Sequence, residues 1–132
     1  MYKLYTDGGS RGNPGKAAAG FFIFDSNEKL IDFDGKYLFE MTNNQAEYEG
    51  LIEGLKLAKK NRIKELEVFM DSQLIVKQLN GEYKVKNEGM KKLFAEVISI
   101  RTYFDQVAFT HIPRENNSFA DRMVNIILDE HE

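Results

Sequence analysis

The stretch Tyr2-Lys-Leu-Tyr-Thr-Asp7-Gly-Gly-Ser-Arg-Gly-Asn-Pro-Gly15 decides the reading of this chain. Leu4 and Thr6 alternate with Lys3 and Tyr5 in a short β-type run that delivers a carboxylate, Asp7, to its end. Four glycines and a proline follow between Gly8 and Gly15, which predicts a turn. An apolar strand that presents one acid and then breaks into a Gly-rich loop is a common foundation for a site. Asp-Gly is also a strong hairpin dipeptide. The choice between turn and site therefore depends on whether other acids arrive at similar places.

The chain around this stretch predicts a β-β-β-α-β-α-α-β-α order. Ala17 to Phe24 reads as a buried strand, Asp25 to Glu28 as a hairpin turn, and Leu30 to Phe39 as the returning strand. A helix follows to about Asn61, with Tyr48, Leu51, Ile52, Leu55 and Ala58 at helical spacing. Thr42 with Gln45, or Asn44 with Glu47, forms a capping box, which sets Glu47 in the first turn at the border of the apolar stripe. Glu65 to Met70 is nearly continuously apolar, as a strand buried on both faces would be, and ends at Asp71. Leu74 to Leu79 is helical and stops at Asn80-Gly81, and a longer helix spans Glu88 to Phe104. Gln106 to Ile112 is a last strand and residues 113–117 a loop. A final helix from Ser118 is expected to bury Phe119, Ala120, Met123, Val124 and Ile127, with Asp121 in its first turn. This order implies an α/β fold with one mixed sheet, antiparallel at the first hairpins and parallel where helices intervene.

The composition sets limits. With 132 residues, 42% hydrophobic and 30% charged, residues 1–132 read as a single globular domain. The absence of cysteine excludes disulfides and Cys-based zinc sites, and a net charge of −3 argues against a broadly basic nucleic-acid binder. No membrane-spanning or signal-type segment is present, so a cytoplasmic protein without membrane contact is expected.

Taken singly, Asp7, Glu47, Asp71 and Asp121 each have a structural explanation as turn, capping or helix-dipole residues. Together they point to one place. Asp7 and Asp71 end strands expected to be parallel neighbours, and open α/β sheets build their sites beyond the carboxyl ends of strands. Glu47 and Asp121 open helices near that same edge. Four gathered carboxylates repel one another unless protonated or neutralised by cations, and an oxygen-only shell suits Mg²⁺ or Mn²⁺.

Thr6-Asp-Gly-Gly-Ser with Gly12-Asn-Pro-Gly15, Thr42-Asn-Asn-Gln-Ala-Glu47, Asp71-Ser-Gln73 and Asn117-Ser-Phe-Ala-Asp121 resemble the motifs of ribonuclease HI, in order and spacing across nearly the whole chain. The resemblance implies a ribonuclease H-like fold, with a five-stranded sheet of order 3-2-1-4-5. It implies an endonuclease that cuts the RNA strand of an RNA–DNA hybrid with two divalent cations, Mg²⁺ or Mn²⁺, leaving 5′-phosphate and 3′-hydroxyl ends. By the same resemblance, Asp7 bridges the two ions, Asp121 shares the ion that binds the attacking water, and Glu47 and Asp71 share the ion at the leaving oxygen. The loop before the last acid resembles the short-loop branch, in which an Arg is the mobile helper. This points to Arg114, with Glu115 and His111 as alternatives.

The resemblance also assigns substrate contacts. Gly8, Gly9, Ser10, Asn13, Asn43, Asn44 and Gln73 fall at positions that meet the hybrid, and amides suit a 2′-hydroxyl because they both donate and accept. Thr42, Lys86 and Asn87 resemble a pocket for a DNA-strand phosphate, although an Arg common there falls near Glu40. The basic protrusion of some bacterial members is missing, and Lys77, Lys84, Lys86, Lys91 and Lys92 leave a modest basic patch. The implied partner is the hybrid duplex, bound by a monomer without an obligate protein partner. Two rivals remain. One is another clustered-acid nuclease class of the same fold, such as a transposase, an integrase or a 3′-exonuclease; the exonuclease pattern of two acids two residues apart is missing around Asp7. The other is a non-catalytic relative, against which the presence of all four acids speaks.

Overall fold

A computed structural model describes all of residues 1–132. The elements follow in the order β1 (Tyr2–Gly12), β2 (Gly15–Phe24), β3 (Leu30–Met41), α1 (Asn43–Lys60), β4 (Glu65–Met70), α2 (Gln73–Leu79), α3 (Glu88–Arg101), β5 (Gln106–His111), a 3₁₀ turn (Arg114–Asn116) and α4 (Ser118–Glu130). They form one five-stranded sheet of order β3-β2-β1-β4-β5, as expected. The β1–β2 and β2–β3 pairs are antiparallel, and β1–β4 and β4–β5 are parallel.

The Gly-rich stretch corrects the expected turn after Asp7. β1 runs on through it to Gly12, paired with β2 as far as Gly12↔Gly15. The turn is postponed to Asn13-Pro14 because the ladder supplies the backbone partners that a local Asp-Gly turn would otherwise provide. Four smaller departures follow. The returning strand runs on to Met41 rather than Phe39, paired with β2 as far as Gly15↔Met41. The longer helix ends at Arg101 rather than Phe104, and β5 ends at His111 rather than Ile112. Part of the loop before α4 winds into the 3₁₀ turn.

The main core lies between one sheet face and the helices α1 to α3. Leu4, Ala19, Ile23, Leu66 and Val68 from the strands meet Tyr48, Leu51, Ile52 and Leu55 from α1, all fully buried or nearly so. The opposite face is covered by α4 alone, over a small cluster of Ala18, Val124 and Leu128. α4 lies close because Gly20 and Gly35 are cross-strand partners beneath it. A methyl group at either would run into Met123. Phe119 does not enter this layer. It is 61% exposed against Phe22 and Phe24, which corrects its expected burial. It precedes the part of α4 that rests on the sheet.

Candidate active site

The parallel ladder between β1 and β4 ends at Tyr5↔Phe69, whose rings stack with centroids 4.9 Å apart. Asp7 and Asp71 stand two residues beyond these partners, where the period of two brings both acids back to the stacked face. The separating strands thus open a cleft with one carboxylate on each lip.

α1 enters this cleft from the other face of the sheet. Its start is the Thr42–Gln45 capping box, in which Thr42 Oγ1 accepts from the Gln45 amide at 3.2 Å and Gln45 Oε1 from the Thr42 amide at 3.0 Å. Glu47 therefore lies in the second turn, buried, and not in the first turn at the border as expected. Gly8 makes the approach possible. A Cβ there would overlap the Ala46 carbonyl and stand 2.7 Å from the Glu47 nitrogen. The Gly8 amide donates both to Asp7 Oδ1 at 3.0 Å and to Glu47 Oε1 at 3.1 Å.

Asp7, Glu47 and Asp71 each present a ligand oxygen within 4.8 Å of the others. Asp7 is 7% exposed and Glu47 3%, and Glu47 Oε2 has no hydrogen-bond partner. Burial pushes the Asp7 carboxyl from its ordinary 3.8 to about 6, with the charges of Asp71 and Asp121 adding to the rise. Burial, then the neighbouring Asp7 carboxyl, drives Glu47 well above its usual range. Without cations both carboxyls are held above their ordinary range.

Asp121 occupies the first turn of α4 and lines the same cleft, but stands outside the trio. Its Oδ1 accepts from Arg114 Nη2 at 3.1 Å, and that carboxylate raises the Arg114 pKa. Arg114 is thus an exposed cation on the cleft lip, while His111 closes β5 and Glu115 is exposed in the 3₁₀ turn.

Asn117 opens the last of the four motifs, and its part in the site is visible only in the structure. It is 1% exposed, and its Nδ2 donates to the Thr6 carbonyl at 2.8 Å and to Asp71 Oδ2 at 3.0 Å. It ties β1 to the Asp71 carboxylate at the point where the strands separate. An Asn just before a helix reads naturally as a cap; here no side-chain cap bond forms.

The expected substrate residues divide into two groups. Gly8, Gly9, Ser10 and Asn43 line the cleft. The Ser10 amide donates to Asn43 Oδ1 at 3.2 Å and the Asn43 amide to Asn13 Oδ1 at 3.0 Å, lacing the β1–β2 hairpin to α1. Asn44 is half-buried beside them, and Gln73 is exposed at the start of α2. Thr42 and Asn87 cap α1 and α3, Asn87 Oδ1 accepting from Met90 at 3.1 Å, and Lys86 is exposed next to it. Of the neighbouring lysines, Lys91 is paired with Glu88 at 3.1 Å.

Fold and carboxylate trio together define the class, a ribonuclease H-like α/β domain with an acidic, oxygen-ligand site. Residues 5–126 match the family model described as "Reverse transcriptase-like". The chain is 39% identical over 127 residues to the bifunctional protein Rv2228c of Mycobacterium tuberculosis, covering 96% of this chain and 35% of that protein. It is 36% identical to the ribonuclease HI of Halobacterium salinarum, over 96% of this chain and 63% of that one. The chain thus spans about a third to two thirds of the length of these relatives. The crystal structure of RNase H1 from Halobacterium salinarum superposes with a TM-score of 0.95, covering 98% of each chain. LC11-RNase H1 in complex with an RNA/DNA hybrid superposes at 0.94 with 42% identity, covering 99% of each. The chain belongs to the ribonuclease HI family.

Proposed function

We propose that this domain is an endonuclease that hydrolyses the RNA strand of RNA–DNA hybrids, using two divalent cations, Mg²⁺ or Mn²⁺, and leaving 5′-phosphate and 3′-hydroxyl ends. Residues 1–132 act as one ribonuclease H domain in this reading. The observation that carries it is the trio Asp7, Glu47 and Asp71, whose oxygens gather within 4.8 Å and leave Glu47 Oε2 buried without a partner. A buried carboxylate oxygen with nothing to accept is costly unless a proton or a cation reaches it. The donor set is entirely oxygen, so it fits a hard cation. The likeness to a protein solved with an RNA/DNA hybrid supports the choice of substrate.

Asp7, Glu47, Asp71 and Asp121 would hold the cations. When bound, these supply activation of a water nucleophile and relief of charge on the leaving oxygen. The chain's own contribution is placement. The shared Gly8 amide aims Asp7 and Glu47, Asn117 aims Asp71, and the first turn of α4 carries Asp121. Arg114, on an exposed lip, is free to move between Asp121 and a substrate or product phosphate. Ser10, Asn13, Asn43, Asn44 and Gln73 read 2′-hydroxyls and base edges together with the Gly8 and Gly9 backbone. Thr42, Lys86 and Asn87 take a DNA-strand phosphate.

The test is cleavage of labelled hybrid, duplex RNA, duplex DNA and single strands, with and without Mg²⁺ or Mn²⁺. Only the RNA strand of the hybrid should be cut, and only with the cation. A thermal melt gives a second readout: Mg²⁺ or Mn²⁺ should raise the midpoint of the unaltered chain and leave Asp7→Asn nearly unmoved. No hybrid cleavage with either cation would overturn the reading.

A further inference from the structure

Two cations line the cleft, Arg114 and Arg11. Arg11 lies on the same sheet face as Asp7, four residues further along β1 and so roughly 13 Å away at strand spacing. Both terminal nitrogens of its guanidinium are engaged. Nη1 meets Asp129 Oδ1 at 2.7 Å and Glu132 Oε1 at 2.6 Å, while Nη2 lies 3.3 Å from Asn125 Oδ1 and 3.4 Å from its carbonyl. Asn125 is one turn beyond Asp121 on α4, and its Nδ2 donates to the Asp121 carbonyl.

The residue between these acids, His131, is anchored independently of Arg11. His131 stacks on Tyr37 with centroids 3.7 Å apart, its Nδ1 lies 2.8 Å from the Ile127 carbonyl, and Lys16 Nζ donates to its backbone oxygen. The end of α4 is thus fastened to β2 and β3 by contacts that do not involve Arg11. The ion pairs themselves are open to solvent, with side-chain exposures of 36% for Arg11, 65% for Asp129 and 68% for Glu132. Pairs this exposed are screened and exchange readily. A phosphodiester offers the same fork of oxygens to a guanidinium as a carboxylate does.

We propose that Arg11 is a ligand for a backbone phosphate of the hybrid flanking the cleavage point, and that Asp129 and Glu132 hold its guanidinium in the free protein until that phosphate displaces them. The assignment rests on the hybrid-nuclease reading of the cleft. It gives an acidic protein a cationic contact that is neutralised when no substrate is bound. Non-specific attraction to other polyanions stays low, and the charge is released only where a duplex sits close enough to compete.

The experiment is a mutant cycle read in KM and kcat on the hybrid with Mg²⁺, at several salt concentrations. The pair Asp129→Asn/Glu132→Gln should lower KM by roughly three- to tenfold, leave kcat within about twofold, and steepen the salt dependence. Arg11→Ala should raise KM by a similar factor, with Arg11→Lys between the two. In the Arg11→Ala background the acid pair should shift KM by less than about twofold. Glu130→Gln, a neighbouring exposed acid that does not touch Arg11, should also leave KM within about twofold. An equal gain without Arg11, an equal gain from Glu130→Gln, or no gain at all would overturn the assignment. Thermal melts confirm that each variant is folded, and Arg11→Lys carries the test if Arg11→Ala is not. Failure of the unaltered protein to cut hybrid would remove the functional reading itself; cutting with an Arg11-independent charge effect removes only this one.

Discussion

The two halves of the acidic cleft are built differently. Asp7 and Glu47 are buried, face each other and share one backbone donor, the Gly8 amide. Asp121 is half-exposed and its partner is a long side chain, Arg114, which is 75% exposed. The first half has no freedom to adjust and carries an electrostatic cost in the cation-free protein. The second is compensated and adjustable. A rigid half that holds charges together and a mobile half that can let go suit a site that must bind an anionic duplex and then release it.

The largest expected effect comes from breaking the rigid half. Asp7→Asn or Asp71→Asn should reduce hybrid cleavage by more than about a hundredfold, beyond the 10–100-fold typical of residues that only support a metal ligand. The thermal midpoint should stay level or rise, because one member of a repelling group is neutralised. Substantial activity in Asp71→Asn would show that the trio is not the reactive centre.

The electrostatic cost of the rigid half can be read directly in cation-free buffer. Asp7 binds its proton more tightly in the folded protein than in the unfolded chain. Its contribution therefore favours folding below about pH 4 and is lost as pH rises through about 6. A rise from 3.8 to about 6 corresponds to roughly 3 kcal/mol. The stability difference between the unaltered chain and Asp7→Asn, followed by urea unfolding from pH 4 to 8, should move in favour of the variant over that window. Saturating Mg²⁺ at pH 8 should reverse it. A flat difference would mean that the pair carries no such cost.

Asn117→Ala sharpens the comparison on the Asp71 side. Loss of Nδ2 leaves the Thr6 carbonyl and one Asp71 oxygen without their donor, at a cost of about 1–3 kcal/mol. Cleavage should fall about 10–100-fold, mainly in kcat, at temperatures where the variant is fully folded. A loss of stability with kcat intact would make Asn117 a purely structural tie.

The smallest effect belongs to the adjustable half. Arg114→Ala should change stability by no more than about 1 kcal/mol, since the ion pair is exposed. It should lower kcat by roughly three- to tenfold, with partial recovery in Arg114→Lys. An unchanged kcat would reduce Arg114 to a solvated loop cation.

Much of this contrast was legible in the sequence, and the exceptions have physical causes. The element order and the position of Asp71 just past the end of β4 follow from apolar periodicity, which reports burial directly. The extension of β1 through Gly8–Gly12 did not, because glycine-rich composition signals a turn unless a partner strand supplies the ladder, and β2 does. The depth of Glu47 was missed for a related reason. Its burial depends on how closely α1 meets β1, and that is set by the absence of a side chain at Gly8, far from it in sequence. Phe119 has the periodicity of a core residue, yet it meets the sheet only at the half-buried rings of Phe22 and Phe24 and stays largely exposed. Asn117 and the Arg114–Asp121 pair are side-chain contacts in space, for which spacing carries no signal.

The absence of a side chain at Gly8 sets a tolerance as well as a contact. With only hydrogen there, β1 and α1 meet at this point peptide against peptide, with the Ala46 carbonyl and the Glu47 nitrogen the nearest atoms. A change of side-chain size elsewhere in the core would act on this contact only through the backbone of α1. Gly8→Ala is the short route to losing the reactive geometry, because its methyl group would overlap the Ala46 carbonyl.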